Sequence, residues 1–332
     1  MNLRKNSTLE LLKLLASYMV VFIHVRFDGS LGSTMETLAR FAVPFFFLVS
    51  GFYSYNIPCN KIIKRIRNIF SLLILAVVCC TAFKVFTLLS EGNIGEVVSY
   101  FSIYLDFTVL VKLFVFNITI NSVHLWYLFA ALYVYVVFFF VTKLRFSDKI
   151  IFIVSFCLLA LHLLLGEGLS VLGIALPKAL VRNFLVMGIP FFGLGLFAKK
   201  YQHKFHRIPN YVIFVSIIIG STESLLSRHF FGPNELYIGS LLVLFAVVCV
   251  FVKYSDIQYP SFFVALDGCS TYIYIFHIMV STVVTGIYTL LGIDKGSSIL
   301  LSNTHPILVC ICSTLLAYLI SRIHNKANQS KL

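Results

Sequence analysis

Long apolar stretches alternate along this chain with short segments that carry its charges. A membrane crossing needs about 20 mainly apolar residues. Ten stretches qualify, at roughly 9–27, 38–56, 69–89, 123–142, 150–166, 180–198, 210–227, 236–253, 269–291 and 304–323. The run 97–120 is apolar too, but it holds Asp106, Lys112 and many aromatic residues. It reads as an interfacial or re-entrant segment in a long outer loop.

Composition agrees with the pattern. Of the 332 residues, 59% are hydrophobic and 12% are charged. Soluble domains carry about 25% charged residues, and a soluble fold cannot hide so much apolar surface. The chain is therefore expected to be an all-α, polytopic membrane bundle of about ten helices, because only helices or closed barrels satisfy the backbone in lipid. A soluble two-domain enzyme, a disordered chain and a secreted disulfide scaffold are excluded. Residues 1–332 read as one integral membrane domain, with no attached soluble domain, internal repeat or low-complexity linker. Arg4 and Lys5 before the first apolar run resemble a signal peptide. That run carries Glu10, Lys13 and His24 and lacks a clear small-residue cleavage site, so it reads as a retained first span.

The net charge is +13, from 26 Lys and Arg against 13 Asp and Glu. Nucleic acid is the usual partner of such a balance in a soluble protein. In a membrane chain it reflects the collection of cations on cytoplasmic loops, and no nucleic-acid partner is expected. With the N-terminus inside and ten crossings, inner segments hold Arg4, Lys5, Lys61, Lys64, Arg65, Arg67, Lys143, Arg145, Lys149, Lys199, Lys200, Lys204, Arg207, Lys253, Arg322, Lys326 and Lys331. Most acidic residues, Glu36, Glu167 and Glu235 among them, then fall outside, and both termini lie in the cytoplasm. The eight cysteines form no CxxC pair, and His203 and His206 lack a matching ligand cluster, so no metal site is expected.

The first span carries a polar stripe. Measured from His24 at about 100° per residue, Ser17 and Lys13 fall about 20° away and Glu10 about 40° away. Ionisable groups on a membrane helix are expensive and mark function by default. Lys13 and His24 lie about 16 Å apart along the helix. Lys13 sits near the cytoplasmic surface and His24 deep, in the outer half. A snorkelling lysine and a histidine that bonds a neighbouring helix are the plain structural alternatives.

Arg40 opens the second span, followed by Pro44 and Ser50-Gly51, where a helix can kink toward a cavity. Arg40 is placed to hold an anion or stabilise an oxyanion, or to anchor a helix end. Lys61, Lys64, Arg65 and Arg67 make an inner cationic cluster suited to headgroups or to the phosphates of a soluble ligand. His124, Trp126 and Tyr127 open the fourth span. Trp126 reads as an interfacial belt residue or a carbohydrate platform, and His124 as a site residue. Arg182 is placed to meet a substrate or to pair with Glu223. Ser270, Tyr274 and His277 share one face of the ninth span. His277 lies near mid-membrane, to line a channel, orient a catalytic group or simply pack.

In order along the chain, Glu10-Leu-Leu-Lys13 with His24, Arg40-x-x-x-Pro44-Phe-Phe with Ser50-Gly51, the segment Lys61–Arg67, His124-Leu-Trp126-Tyr127, Arg182-Asn183 with Gly188-Ile-Pro190-Phe-Phe-x-x-Gly195, and Ser270-Thr-Tyr-x-Tyr274-Ile-Phe-His277 resemble acyltransferase family 3 of the membrane-bound acyltransferases. The resemblance covers nearly the whole chain. The family usually has arginine where this chain has Lys13; lysine keeps the charge without the bidentate fork.

The resemblance implies transfer of an acyl group, usually acetyl, from cytoplasmic acetyl-coenzyme A to a sugar hydroxyl of a cell-surface or lipid-linked glycan, in a bacterial plasma membrane. It implies His24 as the catalytic base, and it links Lys13 and the cluster Lys61, Lys64, Arg65 and Arg67 to the donor. The residues fit that picture. A thin donor arm can run past Lys13 and Ser17 toward His24, an imidazole suited to take a proton near neutral pH. Arg40 and Glu10 complete the expected catalytic set. His124, Trp126, Arg182, Tyr274 and His277 are the expected acceptor side. No nucleophile beside a base is evident, so direct transfer is expected over an acyl-enzyme. Membrane lipids and the glycan are the expected partners, with self-association into a homo-oligomer left open. A transporter for a small polar solute such as an amino acid is the alternative, and a non-catalytic scaffold a third reading.

Overall fold

The computed structural model describes residues 6–117, 122–257, 259–260, 263, 266–293 and 298–329. Arg4, Lys5, Asp294, Lys295, Lys331 and the 118–121 part of the ambiguous run lie outside the described residues, as does the Lys326 side chain. The helices are α1 (Ser7–His24), α2 (Gly29–Leu38), α3 (Ala42–Phe52), α4 (Cys59–Ser90), α5 (Ile94–Ser102), α6 (Phe107–Phe116), α7 (Trp126–Lys143), α8 (Asp148–Leu163), α9 (Leu169–Val171), α10 (Lys178–Val181), α11 (Ile189–Lys200), α12 (Gln202–His206), α13 (Asn210–Phe231), α14 (Ile238–Lys253), α15 (Cys269–Leu290) and α16 (Ile299–Gln329). Among the described residues there is no strand.

Nine helical stretches among the described residues are long and apolar enough to cross a membrane. They match nine of the ten expected crossings. The tenth, α14, has 16 residues, about 24 Å of helix against a hydrocarbon layer of about 30 Å. The ambiguous run forms α5 and α6, bent by 63°. Each is about 15 Å long or less, so neither crosses alone.

Two boundaries differ from the sequence expectation. The second crossing begins at Gly29, nine residues before the expected 38. Gly29–Thr37 is rich in Gly, Ser and Thr and reads as a loop. It is helical because the Asp28 side chain caps the Gly29 N–H at 2.8 Å and because Gly32, Glu36 and Thr37 are buried. The basic segment Lys61–Arg67 is likewise the first two turns of α4 rather than a loop. With 32 residues, α4 is about 48 Å long and carries those turns beyond the apolar layer.

Contacts divide the chain into two compact units. The first holds residues 1–46 and 201–332. Here α1 lies along α15 and α16, with Leu14, Val21 and Val25 packed on Cys269, Ile273, Val309 and Ala317. The Glu10 carboxylate meets the Gly268 N–H and the His24 ring meets His277, so α1 and α15 run parallel. In the same unit α13 crosses α14 with Gly220 and Gly239 face to face; a Cβ on either would strike the other's carbonyl oxygen.

The second unit holds residues 47–200. Its core is aromatic: Phe47 lies 4.7 Å from the Tyr127 ring and 6.4 Å from Trp126. Gly51 does not kink α3. It lets α3 pass against α11, where a Cβ would overlap the Phe192 carbonyl, and Gly195 does the same against the Leu48 carbonyl. Lipid supplies no hydrophobic drive between helices, so close packing at small residues takes its place. We expect Gly51→Val to destabilise the protein by about 1–3 kcal/mol or more, read as a lowered Tm in detergent. Gly95→Ala, at a position with open space around it, leaves Tm unchanged or slightly raised.

Candidate functional site

The first helix brings its expected stripe inward, but its members do different things. Asn6 caps the helix by accepting from the Leu9 N–H at 2.9 Å. Lys13 Nζ is bound to Glu10 Oε1 at 2.6 Å, with Glu10 15% and Lys13 24% exposed. The pair is neutral overall. The notch beside it, lined by Ser7, Glu10, Leu14 and Asp267, has a volume of about 10 Å³, room for about one water. Glu10 is 14 residues from His24, about 21 Å, so it cannot pass a proton directly to it. Ser17 is fully buried and donates to the Leu14 carbonyl at 2.7 Å.

His24 is the last residue of α1, partly buried. The Val25 N–H closes the helix on the Val21 carbonyl. The His24 ring lies 5.3 Å from the ring of His277, which is fully buried. His277 Nδ1 sits 2.8 Å from the Tyr274 carbonyl and 3.2 Å from that of Ile273. Carbonyls only accept, so Nδ1 is the donor in these bonds. The Tyr274 ring is 6.4 Å from His277. Thus two of the expected site residues from opposite ends of the sequence, His24 and His277, meet. Further along the same helix, Ser281 Oγ pairs with Nε2 of the buried His305 at 3.2 Å.

Two residues beyond His24 a buried ion network starts. Arg26 reaches Glu36 Oε1 at 3.0 Å, Arg40 reaches the same oxygen at 2.5 Å, and Arg228 reaches Oε2 at 3.3 Å. Arg40 also holds Glu235 Oε2 at 2.9 Å. Arg40 is 8% exposed and Glu36 4%. Both expectations for these residues need correction. Arg40 is not at a helix end but in the middle of the Gly29–Phe52 crossing, on the 3-10 turn Ala39–Phe41. Glu36 is not a loop acid but a buried counter-ion on α2, and Glu167 is buried in the π-turn that follows α8; Glu235 does lie in the connection between α13 and α14, with its side chain 10% exposed. Pro44 explains the turn: it has no N–H to return to the carbonyl four residues back, which is that of Arg40. Three guanidinium groups against two carboxylates leave one positive charge. Arg40 Nε and Arg228 Nη1 are buried with no hydrogen-bond partner. The arrangement is suited to receive negative charge.

The second unit holds the other expected residues. Trp126 is buried, with the Arg182 guanidinium 5.4 Å above its ring. It is neither a belt residue nor an open platform, because Phe47 and Arg182 cover it. Glu223 accepts from the Gly239 N–H within the first unit. His124 is buried in the 3-10 turn that starts α7. Arg65 spans Ser54 Oγ at 2.6 Å, the Tyr53 carbonyl at 2.7 Å and Tyr135 Oη at 3.2 Å. It ties α4 to the end of α3 and is committed to the fold. Lys61, Lys64 and Arg67 are exposed. Tyr55, between α3 and α4, donates to Asp148 Oδ2 at 2.9 Å. Burial first, and that bond second, push its hydroxyl above the ordinary phenol range.

Among the described residues no three His, Cys, Asp or Glu side chains gather as metal ligands. Residues missed in the sequence are Glu36, Glu235, Arg228 and His305. Only Glu36 had a local signal, four residues before Arg40 on a helix.

A family model described as an acyltransferase domain matches residues 6–322. No curated protein and no solved structure matches the chain.

Truncating Glu36 leaves three guanidinium groups around an empty place. We expect Glu36→Ala to cost about 3–5 kcal/mol, read as a large fall in Tm. Arg26→Ala, at a side chain 60% exposed, should cost less than about 1 kcal/mol.

Proposed function

Because the chain belongs to acyltransferase family 3, we propose that it is a membrane O-acyltransferase that moves an acetyl or related acyl group from acetyl-coenzyme A to a hydroxyl of a cell-surface or lipid-linked glycan. The observation that supports this most is His24, held at the end of α1 beside His277 and two residues from a cationic network.

On this reading His24 takes the proton of the acceptor hydroxyl as its oxygen attacks the thioester carbonyl. The carbon–sulfur bond then breaks, and the leaving thiolate recovers the proton from His24. No acyl-enzyme is formed and no proton is gained or lost overall. Arg40, with its unpartnered Nε, and its neighbour Arg228 balance the negative charge that gathers on the carbonyl oxygen. His277, pinned through Nδ1 by two carbonyls, is a positioning residue for the His24 ring. Lys61, Lys64 and Arg67 are assigned to the donor's phosphates, while Lys13, neutralised by Glu10, is left to a hydrogen-bonding role toward the donor. His124 and the Arg182–Trp126 stack are assigned to the acceptor side. The setting is a bacterial plasma membrane with both termini in the cytoplasm.

The test is coenzyme A release by the purified protein given acetyl-coenzyme A and a glycan acceptor. His24→Ala should lower the rate about a hundred- to ten-thousand-fold, the usual worth of a general base. His277→Ala should lower kcat while KM for acetyl-coenzyme A holds. Release that survives His24→Ala unchanged removes the proposed base. Neither release nor binding of acetyl-coenzyme A in the wild type overturns the reading in favour of solute transport.

A further inference from the structure

The second unit contains a groove of about 290 Å³ between α7, α8 and α11. Val137, Val141, Phe146, Ile150, Val154 and Phe192 form much of its wall. Its hydroxyl group, on Ser155, is turned to the Ile151 carbonyl at 2.8 Å, so it offers a ligand little. On α11 and the π-turn before it the lining runs from Leu185 to Leu196, about 16 Å of helix. That is about the depth of one leaflet, half of the roughly 30 Å hydrocarbon layer.

One end of the groove is basic. The turn from α7 to α8 reads Lys143-Leu-Arg145-Phe-Ser-Asp148-Lys149. Lys143, Arg145 and Lys149 are exposed, and groove-lining Phe146 and Ile150 are chain neighbours of Arg145 and Lys149. The acid of this turn, Asp148, is already taken by Lys200 at 2.7 Å and by Tyr55, so the cations keep their charge. The turn is also a rigid one. Phe146 N–H bonds back to the Val141 carbonyl at 3.1 Å and Arg145 N–H to that of Thr142 at 3.1 Å, the double closure of a helix end at which glycine is usual. Here the left-handed position, φ 57°, belongs to Arg145. A side chain there is strained relative to glycine, and a strained charged residue beside an apolar slot points to a use for its charge.

We propose that this groove holds an acyl chain of an anionic phospholipid whose phosphate lies at the α7–α8 turn, against Arg145 and Lys149. Apolar wall, leaflet-length extent and an un-neutralised basic mouth together match one amphiphile with one negative head. The site is independent of the acyl-transfer reading.

The test is native mass spectrometry of the full chain released from detergent with equal amounts of dioleoyl-phosphatidylglycerol and dioleoyl-phosphatidylcholine. The wild type should retain the phosphatidylglycerol in preference. Arg145→Gly and Lys149→Ala should each cut that preference roughly fivefold, the worth of one cation beside an anionic membrane surface. Arg145→Gly also relaxes the left-handed residue, so its Tm should hold or rise, which separates loss of the site from loss of the fold. Val154→Trp, which fills the groove from its open side, should expel both lipids. Equal retention of the two lipids by the wild type, retention of neither, or an unchanged preference in the Arg145→Gly, Lys149→Ala double variant overturns the proposal.

Discussion

A carboxylate buried in an apolar slab has to be paired, and Glu36 is paired three times over. Arg26 follows α1, Arg40 sits on the 3-10 turn inside the second crossing, and Arg228 is in the last turn of α13. Through Arg40 the connection from α13 to α14 joins as well, by Glu235. Two stretches far apart in sequence, 26–40 and 228–235, are thus joined by one carboxylate and its partners. A charged residue in lipid is tolerated only when it faces the bundle and finds such company. The chain pays for it in backbone regularity: Pro44 leaves the Arg40 carbonyl without its helical donor, and the helix tightens there.

Helix packing explains which residues meet. His24 ends α1 two residues before the mostly exposed Arg26, and the end of α1 is held chiefly by Val21 and Val25 packed on α15 and α16. The parallel packing of α1 on α15 then sets His24 beside His277. His277 has its own orientation fixed by the carbonyls of its own helix. The two imidazoles, on α1 and α15, are held by different forces: His24 by the packing of its helix and His277 by carbonyls of its own helix.

Much of this was legible in the sequence, because the apolar period and the cost of charge in lipid are local properties. The crossings, the stripe on α1 and the shared face of Tyr274 and His277 follow from spacing alone. The faces toward which side chains turn do not. Trp126 has the sequence of a belt residue and the burial of a core one, since Phe47 and Arg182 cover it. Arg65 looks like its basic neighbours but is spent on Ser54, Tyr53 and Tyr135. The segment Gly29–Thr37 has loop composition and folds as helix because Glu36 must be buried with its partners. Glu235 and Arg228 carry no local mark at all; only the folded chain brings them to Arg40 and Glu36.

Depth gives the arrangement its chemical sense. His24 lies level with His277, the ninth residue of α15, and α15 continues 13 residues further, about 20 Å. The first helix therefore stops well short of the end of its parallel neighbour. For a transfer reaction the setting matters more than the base itself. A thioester carbonyl activated at the surface would meet water at full concentration, and hydrolysis would win over a sugar hydroxyl. On the proposed reading, a site at the depth of His277, beside buried Tyr274 and Ile273, meets less bulk water than the surface does. On that reading, the early end of α1, packed on α15 and α16, is what favours transfer over hydrolysis.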